Sequence, residues 1–144
     1  MKLRSGVKYL DPVWMGRVAL RIVGNRYDLE ERLIEFAVLV CQIAESLPPT
    51  RIGKQVEAQL IRSGTSVAPN YGEAQAGESR RDFIHKMKIC LKELRESLVW
   101  LKMAHKLALG DPTMVRQGIQ ESDELVRIFV ASIATAERND RAQP

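Results

Sequence analysis

The sequence predicts an all-α protein, an up-down-up-down antiparallel four-helix bundle. From residue 28 onward, apolar residues recur at spacings of three and four, as on one face of a helix, and the alternation typical of a strand is missing. Helix-starting and helix-stopping residues divide this region into four stretches joined by short loops, which favours antiparallel neighbours. Six prolines and nine glycines are too few for a sandwich or barrel with many turns.

The 144 residues fit one domain that can bury a core without a disulfide or a metal. We divide them into an N-terminal arm (1–27), a bundle (28–139) and a C-terminal tail (140–144). Cys41 and Cys90 lie in apolar periodic stretches, which indicates two buried side chains in a reducing compartment. Because neither a transmembrane run nor a signal peptide is found, we expect a cytoplasmic protein without membrane contact.

Capping residues and prolines define the first two helices. Asp28 can cap the first helix, with Glu31 completing a capping box, and the Pro48-Pro49 pair ends it. The second helix starts at Pro49 or Thr50, and its Pro69 predicts a kink or a break near residues 65–69. The predicted inward-facing residues are Leu33, Phe36, Ala37, Val40, Ile43, Ala44 and Leu47 in the first helix and Ile52, Val56, Leu60, Ser63 and Val67 in the second.

The third and fourth helices have similar signals. Ser79 caps the third, with Asp82 in the capping-box position, and Gly110 terminates it. Asp111 then serves as N-cap, followed by Pro112 at the first position of the fourth helix. The predicted inward-facing residues are Phe83, Met87, Cys90, Leu91, Leu94, Leu98 and Leu101 in the third helix and Val115, Ile119, Ser122, Val126, Phe129, Ile133 and Ala136 in the fourth.

The net charge of +4 is unevenly distributed along the chain. Residues 1–27 carry six basic residues against Asp11 alone, whereas the other 117 residues carry 16 basic and 17 acidic ones. The arm is interrupted by Pro12 and by two glycines, and residues 18–23 form only a short apolar patch. The sequence is compatible with three interpretations of this segment: an ordered strap, a flexible arm, or translation from an upstream start codon.

The third helix has a one-sided basic surface, with eight basic residues against three acidic ones between Arg80 and Lys106. At about 100° per residue, six of the basic residues fall within about 80° of one another, opposite the apolar stripe, over roughly 38 Å. We call these residues the basic ridge: Arg81, Lys88, Lys92, Arg95, Lys102 and Lys106. The ridge could follow a phosphate backbone, or its charges could be balanced by acids on neighbouring helices. Trp100 beside it is available for base stacking or for packing.

A second group of polar residues follows one face of the second helix, where Arg62, Ser66, Asn70 and Glu73 are spaced by four, four and three residues. With a neighbouring serine and two acids of the third helix they form what we call the polar seam: Arg62, Ser63, Ser66, Asn70, Glu73, Glu93 and Glu96. The seam is interpreted either as a hydrogen-bonded contact within the bundle or between subunits, or as a ligand-binding face.

No pattern in the sequence predicts a catalytic or metal site. The nearest match to a di-iron carboxylate–histidine pair is Asp82 with His85, which has no second pair, and His105 lies near a helix end. Phosphate-loop, dinucleotide-binding and nucleophile-elbow patterns are missing. We therefore expect no metal, no cofactor and no enzymatic activity.

Two segments carry a family resemblance. Residues 59–74 contain the pattern Arg-Ser-x-Thr-Ser followed by Asn and Glu-Ala, and residues 92–97 are Lys-Glu-Leu-Arg-Glu-Ser. Together with the stretch Tyr27-Asp-Leu-Glu-Glu-Arg-Leu, they resemble the bacterial four helix bundle protein family, also called the 23S ribosomal RNA intervening-sequence protein family, over residues 27 to about 137. The family's recurring polar positions match Arg62, Ser63, Thr65, Ser66, Asn70, Glu73, Lys92, Glu93 and Glu96.

The resemblance implies an up-down bundle that assembles as a barrel-shaped homopentamer and to which no catalytic residue is attributed. Genes for some members lie within insertions in ribosomal RNA genes, which suggests RNA binding. A distantly similar bundle is the accessory protein of diversity-generating retroelements, which binds a reverse transcriptase and nucleic acid. Five ridges around a ring would form a multivalent surface. The first hypothesis is therefore a pentamer that binds RNA or DNA or acts as a scaffold, and the second is an adaptor for a protein partner, such as a reverse transcriptase or a defence system.

Overall fold

In the computed structural model, which describes residues 28–142, four helices pack together and this range contains no strand. The predicted N-terminal arm (1–27) lies outside the described residues. The helices are α1 (Leu29–Glu45), α2 (Arg51–Gln75), α3 (Arg80–Lys106) and α4 (Pro112–Ala142). The all-α prediction is thus confirmed, and α4 continues three residues beyond the predicted end of the bundle at residue 139.

Each helix begins at a residue that the sequence identifies as a cap. A side-chain oxygen of the cap accepts a hydrogen bond from a backbone amide in the first turn, where no carbonyl of the same helix is available. The four pairs are Asp28 with Glu30 (3.0 Å), Thr50 with Gly53 (3.1 Å), Ser79 with Asp82 (3.1 Å) and Asp111 with Met114 (2.9 Å).

The second helix runs without interruption through Pro69, so of the two predicted alternatives, a kink or a break, the break is wrong. Proline has no amide hydrogen and leaves the carbonyl of the residue four positions earlier, Thr65, without its helical donor. Because Pro69 lies on the exposed side of α2, water can bind that carbonyl instead.

The end of α3 also differs from the prediction, because the helix stops at Lys106 rather than at Gly110. Ala108 takes a left-handed conformation with φ of 53°. Its amide donates to the His105 carbonyl (3.1 Å), and the Leu109 amide donates to the Ala104 carbonyl (2.8 Å). This is the helix-ending arrangement that glycine usually occupies, here adopted by an alanine.

Gly110 instead shapes the loop between α3 and α4. It has φ of 74°, and a Cβ at this position would lie 2.9 Å from the hydroxyl oxygen of Ser46. That hydroxyl donates to the Ile43 carbonyl (2.6 Å) and accepts a hydrogen bond from the Asp111 amide (2.9 Å). One serine therefore joins the loop after α1 to the loop before α4.

The core is formed by one apolar stripe from each helix, and it includes the fully buried Phe36, Phe83 and Phe129. Tyr71 of α2 packs edge-on against Phe129 of α4, with ring centroids 6.0 Å apart. Most predicted inward-facing residues are buried, and the following five lie half-buried at the edges of the stripes: Ala37, Leu91, Leu98, Ile119 and Val126.

Two predicted buried residues are exposed. Ile52 is 51 % exposed because the buried stripe of α2 begins one residue later, at Gly53. Cys41 is exposed because it follows Val40, which occupies the core position, whereas Cys90 is buried as predicted. A Cβ added to Gly53 would lie 1.9 Å from the Pro48 carbonyl oxygen, so the start of α2 packs directly on the preceding loop.

The four helices do not pack equally on one another. α3 contacts α2 and α4 extensively, and α1 contacts α2, but α1 and α4 touch much less. Within residues 28–142, α1 and α3 make no close backbone approach, so they lie across the core from each other. None of the helices in this range is both long and apolar enough to cross a membrane.

Candidate functional site

All six residues of the basic ridge are exposed on the outer side of α3: Arg81, Lys88, Lys92, Arg95, Lys102 and Lys106. Within the part of the chain that the structure describes, five of them form no ion pair. The exception is Lys88, whose Nζ lies 2.6 Å from Oε1 of Glu137 on α4. This hydrogen bond lowers the pKa of the Glu137 carboxyl. A neighbouring helix therefore pairs with one ridge cation and leaves the other five without an ion-pair partner in this range.

The surroundings of the ridge vary along its length. Arg81, at the start of α3, shares a shallow depression with Glu78, Asp82 and His85, so its charge has acidic neighbours. Beyond Lys92 the ridge is bordered by apolar side chains, and Val99 at its centre is 55 % exposed. The strongest uncompensated positive charge thus lies on the C-terminal half of α3.

Trp100 is half-buried and packs against the hydrophobic core. This agrees with the packing alternative for Trp100. Met103 (41 %) and Leu107 (52 %) supply exposed apolar surface near the ridge instead.

The polar seam lies where α2 packs on α3, and Arg62 is its main charged group. Its guanidinium contacts Glu96, lies 3.7 Å from Oε2 of Glu93 and donates to the amide oxygen of Gln59 (2.9 Å). The Glu93 side chain is only 13 % exposed, and its Oε2 has no hydrogen-bond partner among the described residues. Arg62 is thus the cation that faces a nearly buried carboxylate.

Ser63 occupies the buried centre of the seam. Its hydroxyl oxygen lies 2.8 Å from that of Ser97 on α3, and both residues are fully buried. Ser97 also approaches the Glu93 carbonyl at 2.9 Å. Small hydroxylic side chains allow the two helices to approach closely here while their polar atoms remain hydrogen-bonded.

The other seam residues are placed differently. Ser66 and Asn70 bond to carbonyls of α2 itself, those of Ser63 (2.9 Å) and Ser66 (2.8 Å), and Thr65 likewise bonds to Ile61 (2.6 Å). Glu73 reaches across to α3, where its Oε2 lies 2.6 Å from Nζ of Lys86. This hydrogen bond raises the pKa of Lys86.

Sequence reasoning missed three residues of these two surfaces. Ser97 lies at core spacing between Leu94 and Leu101, so its burial was detectable from periodicity. Lys86 lies about 140° from Arg81 around the helix, toward α2 rather than on the ridge. Glu137 gave no signal, because its contact with Lys88 depends on how α4 packs against α3.

The remaining candidate residues do not assemble into a metal site. Within residues 28–142, no group of three or more histidine, cysteine, aspartate or glutamate side chains is placed to hold a metal ion. His85 and His105 are both exposed, at opposite ends of α3.

Comparisons with known proteins agree with this architecture. A solved structure from Bacteroides thetaiotaomicron, a protein of unknown function from the S23 ribosomal protein family, matches with a TM-score of 0.64 and 27 % sequence identity. The match covers 74 % of this chain and 98 % of that one. No curated protein matches the chain. The family described as 23S rRNA-intervening sequence protein matches residues 26–131, and with this match over most of its length the chain belongs to that family.

Proposed function

We propose that this chain is a non-enzymatic, cytoplasmic nucleic-acid-binding protein whose first ligand is RNA, held along the basic ridge. The observation that carries the proposal is the row of five exposed cations on α3 without an ion-pair partner among the described residues. Lysine and arginine side chains in such a row can each contact a phosphate and release its condensed counterions. The family name, which refers to an intervening sequence of 23S rRNA, is consistent with RNA as the ligand.

The chemistry of the ridge favours contacts to the backbone over contacts to bases. Long, exposed cationic side chains position a nucleic acid without distinguishing its sequence, and Trp100 beside the ridge is half-buried against the core. We therefore expect binding that is largely independent of sequence and that weakens steeply as salt is added.

We further propose that the helices form an up-down-up-down bundle and that five copies form a ring. Pairs between α2 and α3 support the antiparallel arrangement, because Glu73 lies near Lys86 and Arg62, earlier in α2, lies near the later Glu96. An apolar groove of about 340 Å³ between α1 and α2, lined by Ile34, Val38 and other apolar residues, supports a subunit contact. Because α1 lies across the core from α3, a contact there leaves the ridge accessible.

The nucleic-acid proposal is tested by fluorescence anisotropy with a generic RNA at low and high salt. The ridge variant is Lys92→Glu/Arg95→Glu/Lys102→Glu, and the control Arg51→Glu/Lys54→Glu/Arg116→Glu changes three exposed cations elsewhere by the same total charge. We expect the ridge variant to lose about 100-fold in affinity at low salt and the control only a few-fold. Equal losses, or no binding by the unmodified chain at low salt, would contradict the proposal.

The assembly is tested separately by light scattering. A mass near five times the 16.3 kDa of one chain is expected, whereas a mass near 16.3 kDa would remove the multivalent ring. Binding by a single ridge would remain possible in that case, so the two proposals fail independently.

A protein-binding adaptor, such as an accessory subunit of a reverse transcriptase or a defence system, is the second candidate. The exposed apolar side chains beside the ridge, Val99, Met103 and Leu107, favour it, because apolar and basic groups together fit an acidic, amphipathic protein surface. Capture of a partner from the native host that persists after nuclease treatment, and that is lost in the ridge variant, would support this function over the first.

A further inference from the structure

The weak contact between α1 and α4 leaves an open cleft along the bundle. One depression of about 520 Å³ is lined by residues that include Arg32, Phe36 and Glu121. A second, of about 380 Å³, shares Glu35, Leu39 and Gln117 with the first and adds residues of α1 between Glu31 and Gln42 as well as Met114 of α4. We call the two together the α1–α4 cleft.

The cleft combines an acidic rim with an apolar floor. Its charged lining consists of Glu31, Glu35, Glu121 and Glu124 against the single guanidinium of Arg32. Arg32 lies 2.6 Å from Glu121 and 2.7 Å from Glu124, and the hydrogen bond with Glu121 raises its pKa. Even with this pairing, the lining carries an excess of negative charge.

The floor of the cleft is apolar. Phe36, Leu39 and Met114 line it between the charged residues; Leu39 and Met114 are half-buried, whereas Phe36 is almost completely covered. An occupant that fits both the floor and the rim must present apolar side chains together with positive charge.

We propose that the N-terminal arm of this chain, through residues 17–23, docks in the α1–α4 cleft. This segment places Arg17 and Arg21 among the apolar residues Val18, Leu20 and Ile22, and the whole arm has six basic residues against one acidic residue. Its composition therefore matches both the acidic rim and the apolar floor. The family match begins at residue 26, so this segment lies outside the matched region.

The connection between the arm and the bundle favours this occupant. The arm ends at residue 27, directly before the cap of α1, and the first turns of α1 line the cleft. From Glu31 to Gln42 the cleft extends about 16 Å along α1. The residues between position 23 and the cap can span about 15 Å, so residues 17–23 can return to the cleft of the same chain.

The other surfaces of the bundle suit the arm less well. The basic ridge would repel it, and the apolar groove between α1 and α2 offers Glu45 as its single charged lining residue. Docking in the cleft would place the arm beside α1, across the core from the ridge. The arm would then neutralise the cleft instead of extending the nucleic-acid surface.

Disulfide trapping in the full chain tests this proposal. In a Cys41→Ser background, Ala19→Cys is combined with Gln117→Cys in the cleft or, as a control, with Gln55→Cys on α2. Both glutamines are exposed, so neither change removes a core side chain. Oxidation of the two thiols forms a bond within one chain or between two chains, and non-reducing electrophoresis separates these products. We expect trapping within one chain to be about tenfold faster at position 117 than at position 55, because docking raises the effective concentration of the thiol.

Equal rates at the two positions would overturn the proposal. A product that mainly links two chains would also overturn it, because the arm would then occupy the cleft of another copy. In the cleft pair, adding salt or introducing Arg17→Gln/Arg21→Gln should slow trapping several-fold, since both weaken the attraction to the acidic rim. Trapping unaffected by either change would reject charge complementarity as the basis of docking.

Discussion

The two flanks of α3 carry similar charged residues but place them in opposite environments. Toward α2, Glu93 and Glu96 face Arg62, and Lys86 pairs with Glu73. On the outer flank, five ridge cations have no ion-pair partner among the described residues. A single helix thus uses charge to join its neighbour on one side and displays charge to solvent on the other.

The difference separates residues that stabilise the fold from residues available to a ligand. Charges held close to a partially buried partner are costly to leave unpaired, whereas isolated exposed charges contribute little to folding. We therefore expect substitutions in the polar seam to change stability, and substitutions on the ridge to change binding while stability stays nearly constant.

The largest expected effect concerns the exclusion of water from the contact between α2 and α3. The Cys90 thiol lies 3.7 Å from the Val67 carbonyl, and burial raises its pKa from the ordinary 9.0 to about 12. At pH 8 it should hold about a thousandfold less thiolate than an ordinary thiol. Time-resolved thiol labelling followed by mass spectrometry should therefore modify the exposed Cys41 long before Cys90. Similar rates at the two cysteines would show that water enters the contact.

The raised pKa also fixes the direction of a pH effect on stability. The folded state keeps the Cys90 thiol neutral at pH values at which the unfolded chain would ionise it. The contribution of this thiol to stability is therefore complete below pH 9.0 and is lost as the pH rises toward about 12. Burial raises the pKa of Tyr71 in the same direction. Urea unfolding between pH 8 and pH 11 should show decreasing stability, with a smaller decrease in Cys90→Ala.

The next effect tests the close approach of the two helices at Ser63. Ser63→Leu places a large side chain against Ser97 and should lower the free energy of unfolding by about 3 kcal/mol through overpacking. Ser63→Ala is the control and should cost less than about 1 kcal/mol, because Ser97 keeps its bond to the Glu93 carbonyl. Urea unfolding measures the loss of stability in both variants. Comparable losses would mean that removal of the hydroxyl group, rather than crowding by the larger side chain, causes the destabilisation.

A smaller effect compares Arg62 of α2, which faces the acids on one flank of α3, with Arg95 on the other flank. Arg62→Leu removes the cation facing Glu93 and should cost about 1 kcal/mol, discounted because the Arg62 side chain is 54 % exposed. Arg95→Leu on the ridge should stay within about 0.5 kcal/mol of the unmodified chain. Adding Glu93→Gln to Arg62→Leu should recover part of the loss, since it removes the unpaired charge. Equal costs for the two arginines would erase the distinction between the flanks.

The smallest effect concerns Lys88, the ridge residue that has an ion-pair partner, as the charged residues on the α2 side do. Glu137→Gln removes the acid that pairs with Lys88 and should raise RNA affinity at low salt by about twofold, as one more cation becomes available. Anisotropy titrations measure this gain, and Glu57→Gln, a change of equal charge on α2, is the control. An equal gain in the control would indicate a net-charge effect rather than release of Lys88.

Local features of the fold were predictable from the sequence because they depend on residues close together in the chain. All four caps act within their own first turn, and the apolar spacing identified most of the core. The errors arose where tertiary packing or solvent decided the outcome. Pro69 is tolerated on an exposed surface, and the left-handed residue after α3 is Ala108 rather than a glycine.

The candidate site was predictable in outline. Helical angles identified a ridge whose residues are all exposed. The polar seam grouped Arg62 with Glu93 and Glu96, and the structure brings these three side chains together. The pairing of Lys88 with Glu137 required the register between two helices, and the partners are 49 positions apart in the chain. That the ridge binds nucleic acid stays a prediction.

The hydrogen bond between the Asp111 amide and the Ser46 hydroxyl fixes one end of α1 in place. α1 touches α4 only lightly along its length, but this bond joins its C-terminal end to the loop before α4. Any occupant that widens the α1–α4 cleft would then tilt α1 about this fixed end. The displacement of the helix would be smallest at Ser46 and largest at Leu29. The arm directly precedes α1 in the chain, so an arm docked as proposed would act on the end of α1 that can move most.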